Sequence, residues 1–291
     1  MISIIITSYK EPKTIGKAIE QILKNNLTNY EILVVAPDKE TLGVAKKYSL
    51  KNKHINLIQD NGNGKPVAIN LAVSKAKGDL LILTDGDVYI GEDSLNPLIK
   101  PFENPLIGVV SGNPVSLNSR NNKLGFWAYV LTSVANERRK KALKMKRRFF
   151  CSGYLFAIRK SLFPKLLEEL LSEDGFISDN VYKKRFLIDY SEKSKVYVKY
   201  PTTFNDWITQ KKRSAGGYNQ IKKMTQVDIR SFKKESFGAL GLFKYVNSFK
   251  ELIWLFNLFI ARVYLWFLIY VDINLKGKTH KEIWKRVEST K

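Results

Sequence analysis

Two carboxylates, Asp85 and Asp87, stand two residues apart directly after the apolar run Asp79–Thr84. Carboxylate oxygens at this spacing can hold a hard divalent cation such as Mg²⁺ or Mn²⁺. A cation held there can bridge the phosphates of a nucleotide and neutralise a leaving diphosphate. The same pair is also typical of a solvated acidic turn, so its interpretation depends on the elements that present it.

The N-terminal part of the chain alternates short apolar strands with amphipathic helices. Predicted strands are Ile2–Thr7, Tyr30–Val35, His54–Ile58 and Asp79–Thr84, and predicted helices cover 15–22, 39–48 and 67–76. This order predicts an α/β fold with a mostly parallel, doubly wound sheet flanked by helices. Ligands of such sheets bind beyond the carboxyl ends of the strands, so we expect the loops at Ser8, Asp38, Asp60 and Asp85 to share one edge.

The middle of the chain is less regular. The patterns predict helices over 125–148, 161–171 and 179–187, a strand-like stretch over 149–158 that breaks at Ser152-Gly153, a short strand over 195–199, and a helix over 203–224 interrupted at Gly216-Gly217. From about residue 231 the chain becomes aromatic and apolar. We therefore expect a catalytic domain over 1–230 and a membrane-associated helical segment over 231–291.

Charge and composition narrow the choice of partner. Lys and Arg number 49 against 27 Asp and Glu, a net charge of +22, which favours an anionic partner such as a lipid surface, a nucleic acid or a phosphorylated substrate. Cys151 is the single cysteine, which excludes an internal disulfide and is typical of a reducing compartment. His54 and His280 are the only histidines, so the sequence contains no zinc cluster.

Several segments in this order resemble family 2 glycosyltransferases, which are inverting enzymes of the GT-A fold. The similar segments are Ile4–Pro12, Tyr30–Val35, Asn63–Asn70, Ala76–Asp87 with its DxD motif, Ser152-Gly153, Ser178-Asp179 followed by Arg185, and Gln210–Arg213. Each motif is weak by itself, but their order and spacing are fairly specific. The resemblance covers about residues 2–225.

The resemblance implies a role for most of these residues. Asp87 is expected to be the principal metal ligand, with Asp85 on the metal's water shell or the ribose. The residues expected to bind the nucleotide-sugar are Thr7, Tyr9, Glu11, Asp38, Asp60, Lys65, Asp85, Asp87, Gln210 and Arg213. Among these, Lys65 and Arg213 would pair with the diphosphate, and Tyr9 would stack on the base. Ser152 and Gly153 would lie on the acceptor side.

The resemblance places the catalytic base at Asp179. An inverting displacement needs one carboxylate that takes the proton of the acceptor hydroxyl as its oxygen attacks the anomeric carbon. Glu173 and Asp174 are alternatives, although their distance to Arg185 fits the family's motif less well. A helix N-cap is the competing structural role for Asp179.

Two departures from the family's pattern matter. Its acidic pair after the second strand is here Ala36-Pro37-Asp38, which leaves both UDP- and GDP-sugars open as donors. Its QxxRW tryptophan is here Ser214, and this argues against a long-chain synthase.

The leading hypothesis is transfer of one sugar to a hydroxyl acceptor on a lipid-linked molecule or a glycan, with a divalent cation as cofactor. Transfer to a polyprenyl phosphate is the alternative of the same reaction type. A nucleotidyltransferase would need a glycine-rich basic loop after the first strand, and Ser8–Pro12 is not one. A nucleic-acid-binding protein is suggested by charge alone, and we expect no nucleic-acid partner.

Leu252–Val271 is long and apolar enough to span a bilayer. A basic tail follows it, with Lys276, Lys278, Lys281, Lys285, Arg286 and Lys291. A single crossing from the cytoplasm would place this tail outside, against the positive-inside rule. We therefore expect a helix that lies in the membrane or re-enters it at the cytoplasmic face. A single crossing and a buried helix of a soluble core remain as alternatives.

Overall fold

A computed structural model describes residues 1–227, 240–272 and 287–290. The basic tail after Asp272 and the predicted domain boundary at residue 230 lie outside the described residues. The described chain divides into two compact units. The first comprises Met1–Val115 and Arg139–Val198, and the second comprises Ser116–Arg138 and Lys199–Thr290. Residues 116–138 and 199–227, predicted as part of a catalytic domain over 1–230, thus belong to the second unit.

The first unit begins with the predicted alternation of strands and helices. Its elements up to the acidic pair are β1 (Ile2–Thr7), α1 (Ile15–Leu23), β2 (Tyr30–Ala36), α2 (Lys39–Ser49), β3 (Ile55–Gln59), α3 (Lys65–Lys75) and β4 (Leu80–Asp85). Strands β1, β2 and β4 are buried along almost their whole length because their apolar residues run continuously. Strands β2 and β4 are both parallel to β1, and β3 is parallel to β2. In the pairing of β1 with β4, Thr7 lies opposite Asp85. The carboxyl ends of β1 and β4 therefore meet at one edge.

The remainder of the first unit departs from the predicted pattern. It contains β5 (Val88–Ile90), α4 (Leu95–Ile99), a 3₁₀ turn over Lys100–Glu103, β6 (Ile107–Ser116), β7 (Leu155–Arg159), a 3₁₀ turn over Lys160–Leu162, α6 (Glu173–Lys183) and β8 (Leu187–Val198). The strand order is β3-β2-β1-β4-β7-β6-β8-β5. Strand β7 is antiparallel to both β4 and β6, and β5 is antiparallel to β8. The sheet is therefore mixed, and the expectation of a mostly parallel sheet is wrong beyond β4.

Two predicted helices are misplaced. The helix expected over 161–171 is a single 3₁₀ turn, and the one expected over 179–187 begins at Glu173 and ends at Lys183. The strand expected over 195–199 extends from Leu187 to Val198 because its alternating residues pair within the sheet.

The second unit contains most of α5 (Lys123–Lys144), all of α7 (Phe204–Thr225), a 3₁₀ turn over Leu240–Tyr245, and α8 (Phe249–Tyr270). Helix α7 is continuous, so the interruption expected at Gly216-Gly217 is wrong; both glycines are buried within the helix. The core of this unit is aromatic: Trp127 of α5 and Trp207 of α7 have ring centroids 5.1 Å apart. Among the described residues, α8 alone is long and apolar enough to cross a membrane.

Candidate active site

The carboxyl ends of β1 and β4 place Thr7 next to Asp85. The Thr7 hydroxyl donates a hydrogen bond to Asp85 Oδ1 over 3.2 Å. Gly86 follows, and only a residue without a side chain fits there, because a Cβ would collide with Ser8 and Glu11 of the first loop. The glycine between the two aspartates is therefore a packing requirement of this edge of the sheet.

Lys65 forms ion pairs with a residue of β4 and with a residue of α6. Its ammonium lies 2.7 Å from Asp85 Oδ1 and 2.6 Å from Glu173 Oε1. Lys65 is the first residue of α3 and follows Gly64, whose φ of 105° is a backbone conformation that favours glycine. Burial lowers the pKa of Lys65, but the charges of Asp85 and Glu173 outweigh it and raise the pKa, so the ammonium stays charged.

These residues line one cleft in the first unit. The lining side chains are Ile5, Thr7, Lys65, Ile69, Leu83, Thr84, Asp85, Phe156 and Glu173, together with the backbone of Gly153. The cleft has an apolar floor formed by the strands and polar groups at their carboxyl ends. This is the arrangement typical of ligand sites in α/β proteins.

Asp174 lies beside Gly153, which lines the cleft. The Gly153 amide donates to Asp174 Oδ2 over 3.1 Å, and the Ser172 hydroxyl and Gly175 amide donate to Oδ1 over 2.6 and 2.8 Å. Asp174 is half-buried, so part of it remains accessible. Burial, and then the neighbouring charge of Glu173, raise the pKa of Asp174 above its ordinary value despite the hydrogen bonds from Ser172 and Gly175.

Asp179, the predicted base, has different surroundings. Its side chain is 1% exposed and forms ion pairs with Arg148 and with Lys183, the latter at 2.9 Å. Arg148 also lies over the ring of Tyr182, 4.7 Å from its centroid. The N-cap of α6 is Ser172. Asp179 lies in the second turn of this helix and therefore does not have the competing role of an N-cap. The structure thus places Asp179 in a buried ion-pair cluster, and its role as the base stays a prediction.

The segment before β7 is fastened along α6. The Cys151 amide donates to the Ser178 hydroxyl over 3.0 Å, and the Gly153 amide donates to Asp174. The Ser152 amide donates to the Ser111 hydroxyl over 3.0 Å. Ser152 and Gly153, predicted on the acceptor side, therefore lie beside Asp174, and Gly153 lines the same cleft as Asp85.

The loops after β1, β2 and β3, which were predicted to bind the donor, are fixed by internal hydrogen bonds. Asp38 caps α2 by accepting from the Thr41 amide over 2.9 Å, and it also accepts from the Lys10 amide over 2.7 Å. Glu11 is buried and accepts from the Ser8 hydroxyl over 2.6 Å. Asp60 accepts from the Gly62 amide over 2.6 Å, whereas the Tyr9 side chain is 42% exposed. The Asp38 and Asp60 carboxylates thus shape the two loops.

Gln210 and Arg213 lie on α7 of the second unit. Gln210 is buried, and its side-chain oxygen accepts no hydrogen bond within the described residues. Arg213 is half-buried. Their predicted role at the diphosphate stays a prediction.

The acidic residues of the cleft outnumber its one lysine. Burial raises the pKa of Asp85, and the charges of Asp87 and Glu173 raise it further, while Lys65 opposes both effects. An excess of hard carboxylate oxygens suits a divalent cation. Among the described residues, however, no group of three or more Asp, Glu, His or Cys side chains forms a complete metal site. Asp85 and Asp87 therefore fit a cation whose other ligands are phosphate oxygens and water, as is usual for Mg²⁺.

Glu173 lines the cleft and Asp174 lies beside Gly153, although the sequence analysis ranked both behind Asp179. Ser172-Glu173-Asp174 carries a recognisable helix start: a serine at the N-cap and two acidic residues in the first turn. Reading that signal would have placed both carboxylates at the beginning of α6, at the edge of the sheet.

Comparison with known proteins gives a consistent result. The model of the family "Glycosyl transferase family 2" matches residues 3–167. The mannosyltransferase PcManGT from Pyrobaculum calidifontis, solved in complex with GDP-Man and Mn²⁺, aligns with a TM-score of 0.67 at 16% identity, over 96% of this chain and 88% of that chain. TarS residues 1–349 of Staphylococcus aureus, in complex with UDP, aligns with a TM-score of 0.53 at 20% identity, over 74% of this chain and 64% of that chain.

Several curated relatives match by sequence, and two of them are described here. Poly-beta-1,6-N-acetyl-D-glucosamine synthase of S. aureus strain COL is 21% identical over 272 residues, which are 91% of this chain and 64% of the relative. Glycosyltransferase GlyG of Streptococcus pneumoniae serotype 4 is 23% identical over 130 residues, 44% of this chain and 43% of the relative. The chain thus spans 43% and 64% of the lengths of these relatives. The predicted GT-A fold is confirmed.

Proposed function

Because the chain belongs to glycosyl transferase family 2, we propose that it transfers one sugar, with inversion at the anomeric carbon, from a nucleoside diphosphate sugar to an acceptor hydroxyl. The observation that carries the proposal is the Asp85–Lys65–Glu173 bridge, with Asp174 beside it, at the carboxyl ends of the strands. The cleft there combines cationic and anionic groups suited to a diphosphate, and the half-buried Asp174 beside Gly153 supplies a carboxylate suited to an acceptor.

Asp174 is the carboxylate that fits the role of general base best. It is half-buried, lies beside Gly153, and has a raised pKa, all of which suit proton transfer from a bound hydroxyl. The acceptor oxygen attacks the anomeric carbon as its proton passes to Asp174, and the bond from that carbon to the diphosphate oxygen breaks. Asp179 is the competing assignment, but its burial with Arg148 and Lys183 suits a structural role better.

Lys65 is proposed to bind the leaving diphosphate. Its ammonium already bridges two carboxylates at the edge of the sheet, and a donor phosphate would be a third anionic partner for it. Asp85 and Asp87 would hold a divalent cation, which neutralises developing charge on the diphosphate when it is bound. The Mn²⁺ in the PcManGT complex supports this cofactor.

The donor is proposed to be a UDP- or GDP-sugar. The two solved structures described above hold GDP-Man and UDP. Tyr9 is exposed next to the carboxyl end of β1, where its ring is available to stack on a base. Thr7, Glu11, Asp38 and Asp60 would act by fixing the loops that surround the nucleotide.

The acceptor is proposed to be a hydroxyl of a glycan or of a lipid-linked molecule, reached from the cytoplasmic face of a membrane. A phosphate acceptor such as a polyprenyl phosphate is the second candidate. It is favoured by the basic run at 138–148, which precedes the Gly153 segment and has six exposed cationic residues: Arg138, Lys140, Lys141, Lys144, Lys146 and Arg147.

The test is hydrolysis and transfer with a panel of UDP- and GDP-sugars, each with Mn²⁺, with Mg²⁺ and with a chelator. We expect turnover of one donor class that requires the cation. Asp85→Asn in the cleft should lose this activity. Its matched control is Asp79→Asn, just before the first residue of β4, where the side chain is 97% exposed. Equal activity of the two variants, or turnover of no nucleotide-sugar, would contradict the proposal.

A further inference from the structure

Helix α8 has one face built into the core of the second unit. Its buried residues are Glu251, Leu255, Leu258, Ala261, Leu265 and Ile269. All of them except Glu251 pack in the cluster that contains Phe126, Trp127, Val130, Trp207, Ala215 and Tyr245. The Trp127 indole also donates a hydrogen bond to the Trp254 carbonyl over 2.7 Å. The helix is therefore fixed along its length to α5 and α7.

The opposite face of α8 is also apolar, but it is exposed. Seven residues recur at alternating intervals of four and three, and we name them the α8 stripe: Phe249, Ile253, Phe256, Ile260, Val263, Phe267 and Tyr270. Their side chains are between 48% and 77% exposed. Soluble monomers rarely expose a continuous apolar patch larger than a few hundred Å². A patch that follows a whole helix therefore indicates a partner.

The flanks of the stripe indicate which partner. Where two helices pair in water, the flanking positions are commonly Glu and Lys, and the rim of an interface is polar. Here the flanks hold the uncharged residues Leu252, Asn257, Phe259, Tyr264 and Trp266, and one charged residue, Lys250, at the start of the helix. Aromatic residues of this kind are enriched where a protein meets the headgroup region of a bilayer. Lipid therefore fits these flanks better than a second copy of the chain.

Charge selects an anionic lipid surface. The chain carries a net charge of +22, and Lys250 is exposed in the first turn of α8. Basic residues next to an apolar helix face strengthen binding to anionic headgroups. Arg262, the one charged residue within 252–271, is half-buried next to Ala261, and its long aliphatic stem can bring the guanidinium to the interface.

Both ends of α8 are clamped to polar segments of the same unit. Arg120 binds Glu251 at the start of the helix, over 2.6 and 2.7 Å, and Lys212 of α7 binds Asp272 just beyond its end. At 1.5 Å of rise per residue the clamps are about 30 Å apart, the thickness of a hydrocarbon core. A crossing would draw α7, with its Lys211, Lys212 and Arg213, into hydrocarbon, which is strongly unfavourable.

We propose that α8 lies in the plane of an anionic bilayer surface, with the α8 stripe facing the acyl chains and the opposite face remaining in the core of the second unit. The helix then anchors the protein without crossing the membrane. This selects the in-plane alternative over both a single crossing and a fully buried core helix.

The first test is flotation of the full chain with vesicles of phosphatidylcholine alone and with added phosphatidylglycerol. We expect binding to the anionic vesicles. Phe256→Glu with Ile260→Glu should lower the bound fraction at least tenfold. The control, Leu50→Glu with Leu106→Glu, adds the same charge at sites that are 78% and 58% exposed and should float like the original chain. Circular dichroism checks that both variants fold. Equal flotation of the two variants would overturn the proposal.

The second test measures depth. Single cysteines at Phe249, Ile260 and Tyr270 receive an environment-sensitive fluorophore, and lipids brominated at different depths quench it. Cys151 is buried, and burial raises its pKa, so it does not compete for the label. An in-plane helix gives similar shallow depths at all three sites. If the fluorophore at Ile260 lies deepest, the helix crosses the membrane. If the original chain binds no vesicles but forms a dimer that Phe256→Glu with Ile260→Glu abolishes, the stripe binds a second copy of the chain. Either result overturns the proposal.

Discussion

The two aspartates of α6 share one helix but differ in accessibility and partners. Asp174 is half-buried in the first turn and receives neutral donors: the Ser172 hydroxyl and the Gly153 and Gly175 amides. Asp179 is fully buried and receives the cations Arg148 and Lys183. Asp179 is thus enclosed by charged side chains, whereas Asp174 keeps part of its surface accessible. The chemical difference therefore comes from position and not from residue type.

Asparagine substitutions separate these two roles. Asp174→Asn keeps the shape and the acceptor oxygen but cannot take a proton, so transfer to a hydroxyl should fall by about a hundredfold or more. Its melting temperature should change little. Asp179→Asn removes a buried charge from Arg148 and Lys183, so it should lower the free energy of unfolding by about 1–3 kcal/mol. Steady-state kinetics and thermal denaturation measure the two effects.

The opposite pattern would restore Asp179 as the base: full activity in Asp174→Asn, and lost activity with an unchanged melting temperature in Asp179→Asn. Activity of Asp174→Asn that survives with a phosphate acceptor alone would favour the polyprenyl-phosphate reaction, since no proton needs to be removed there.

The pKa of Asp174 also predicts a pH dependence. A base works only when deprotonated, so activity should fall as the pH drops through its pKa. Burial and Glu173 raise this pKa, so the acid limb of kcat/KM should lie above the value of about 3.9 for an ordinary aspartate. Glu173→Gln removes one of the charges that raise it, and the limb should move to lower pH. A limb that stays in place in Glu173→Gln would show that Asp174 is not the titrating group.

At the scale of elements, the close approach of β4 to β1 requires a glycine just before β4. Gly78 precedes β4, and a Cβ there would lie 2.6 Å from the Ser3 amide nitrogen of β1. Its own amide donates to the Ser3 hydroxyl, which in turn donates to the buried Glu31 of β2. This network fixes the start of β4 against β1, and with it the register that brings Thr7 next to Asp85.

Two glycine-to-alanine changes test this packing. Gly78→Ala should lower the free energy of unfolding by about 1–3 kcal/mol, because backbone atoms cannot move aside as a side chain can. Gly43→Ala lies in α2, where a Cβ meets nothing within 4 Å. It should stabilise the protein by about 0.5–1 kcal/mol, the usual gain for alanine in a helix. Urea denaturation measures both. A neutral Gly78→Ala would mean that the two strands separate more easily than their contacts indicate.

At the scale of the whole molecule, the acidic cleft contrasts with a strongly basic chain. The net charge is +22, yet Asp85, Asp87, Glu173 and Asp174 gather near a single ammonium, that of Lys65. Such local repulsion is relieved when a cation binds. A divalent cation and a nucleoside diphosphate should therefore each strengthen the binding of the other, since the diphosphate supplies oxygen ligands in addition to Asp85 and Asp87.

Thermal denaturation with ligands tests this coupling. Mn²⁺ and UDP or GDP together should raise the melting temperature by more than the sum of their separate effects. At a hundredfold excess over Kd the stabilisation is about 2.7 kcal/mol. Asp87→Ala should abolish the cooperative part, and Asp79→Ala, at the other end of β4, should retain it. A nucleotide effect that survives a chelator would contradict metal-dependent binding.

The sequence by itself determined the N-terminal part of the fold and much of the candidate site. Strands β1, β2 and β4 are continuous apolar runs, and each is followed by a turn signal, so local pattern was sufficient to find them. Asp85 and Lys65 were then predictable as neighbours, because the carboxyl ends of parallel strands meet at one edge. Order and spacing of the motifs also indicated the family.

Only the tertiary structure revealed the different surroundings of Asp174 and Asp179. The helix that carries both was predicted six residues too late, since its start depends on a single capping turn and not on a long periodic pattern. The burial of Asp179 depends on Arg148, 31 residues earlier in the chain, and no local pattern encodes that pairing. The two faces of α8 are likewise equally apolar in sequence. Packing against α5 and α7 buries one of them and leaves the other exposed.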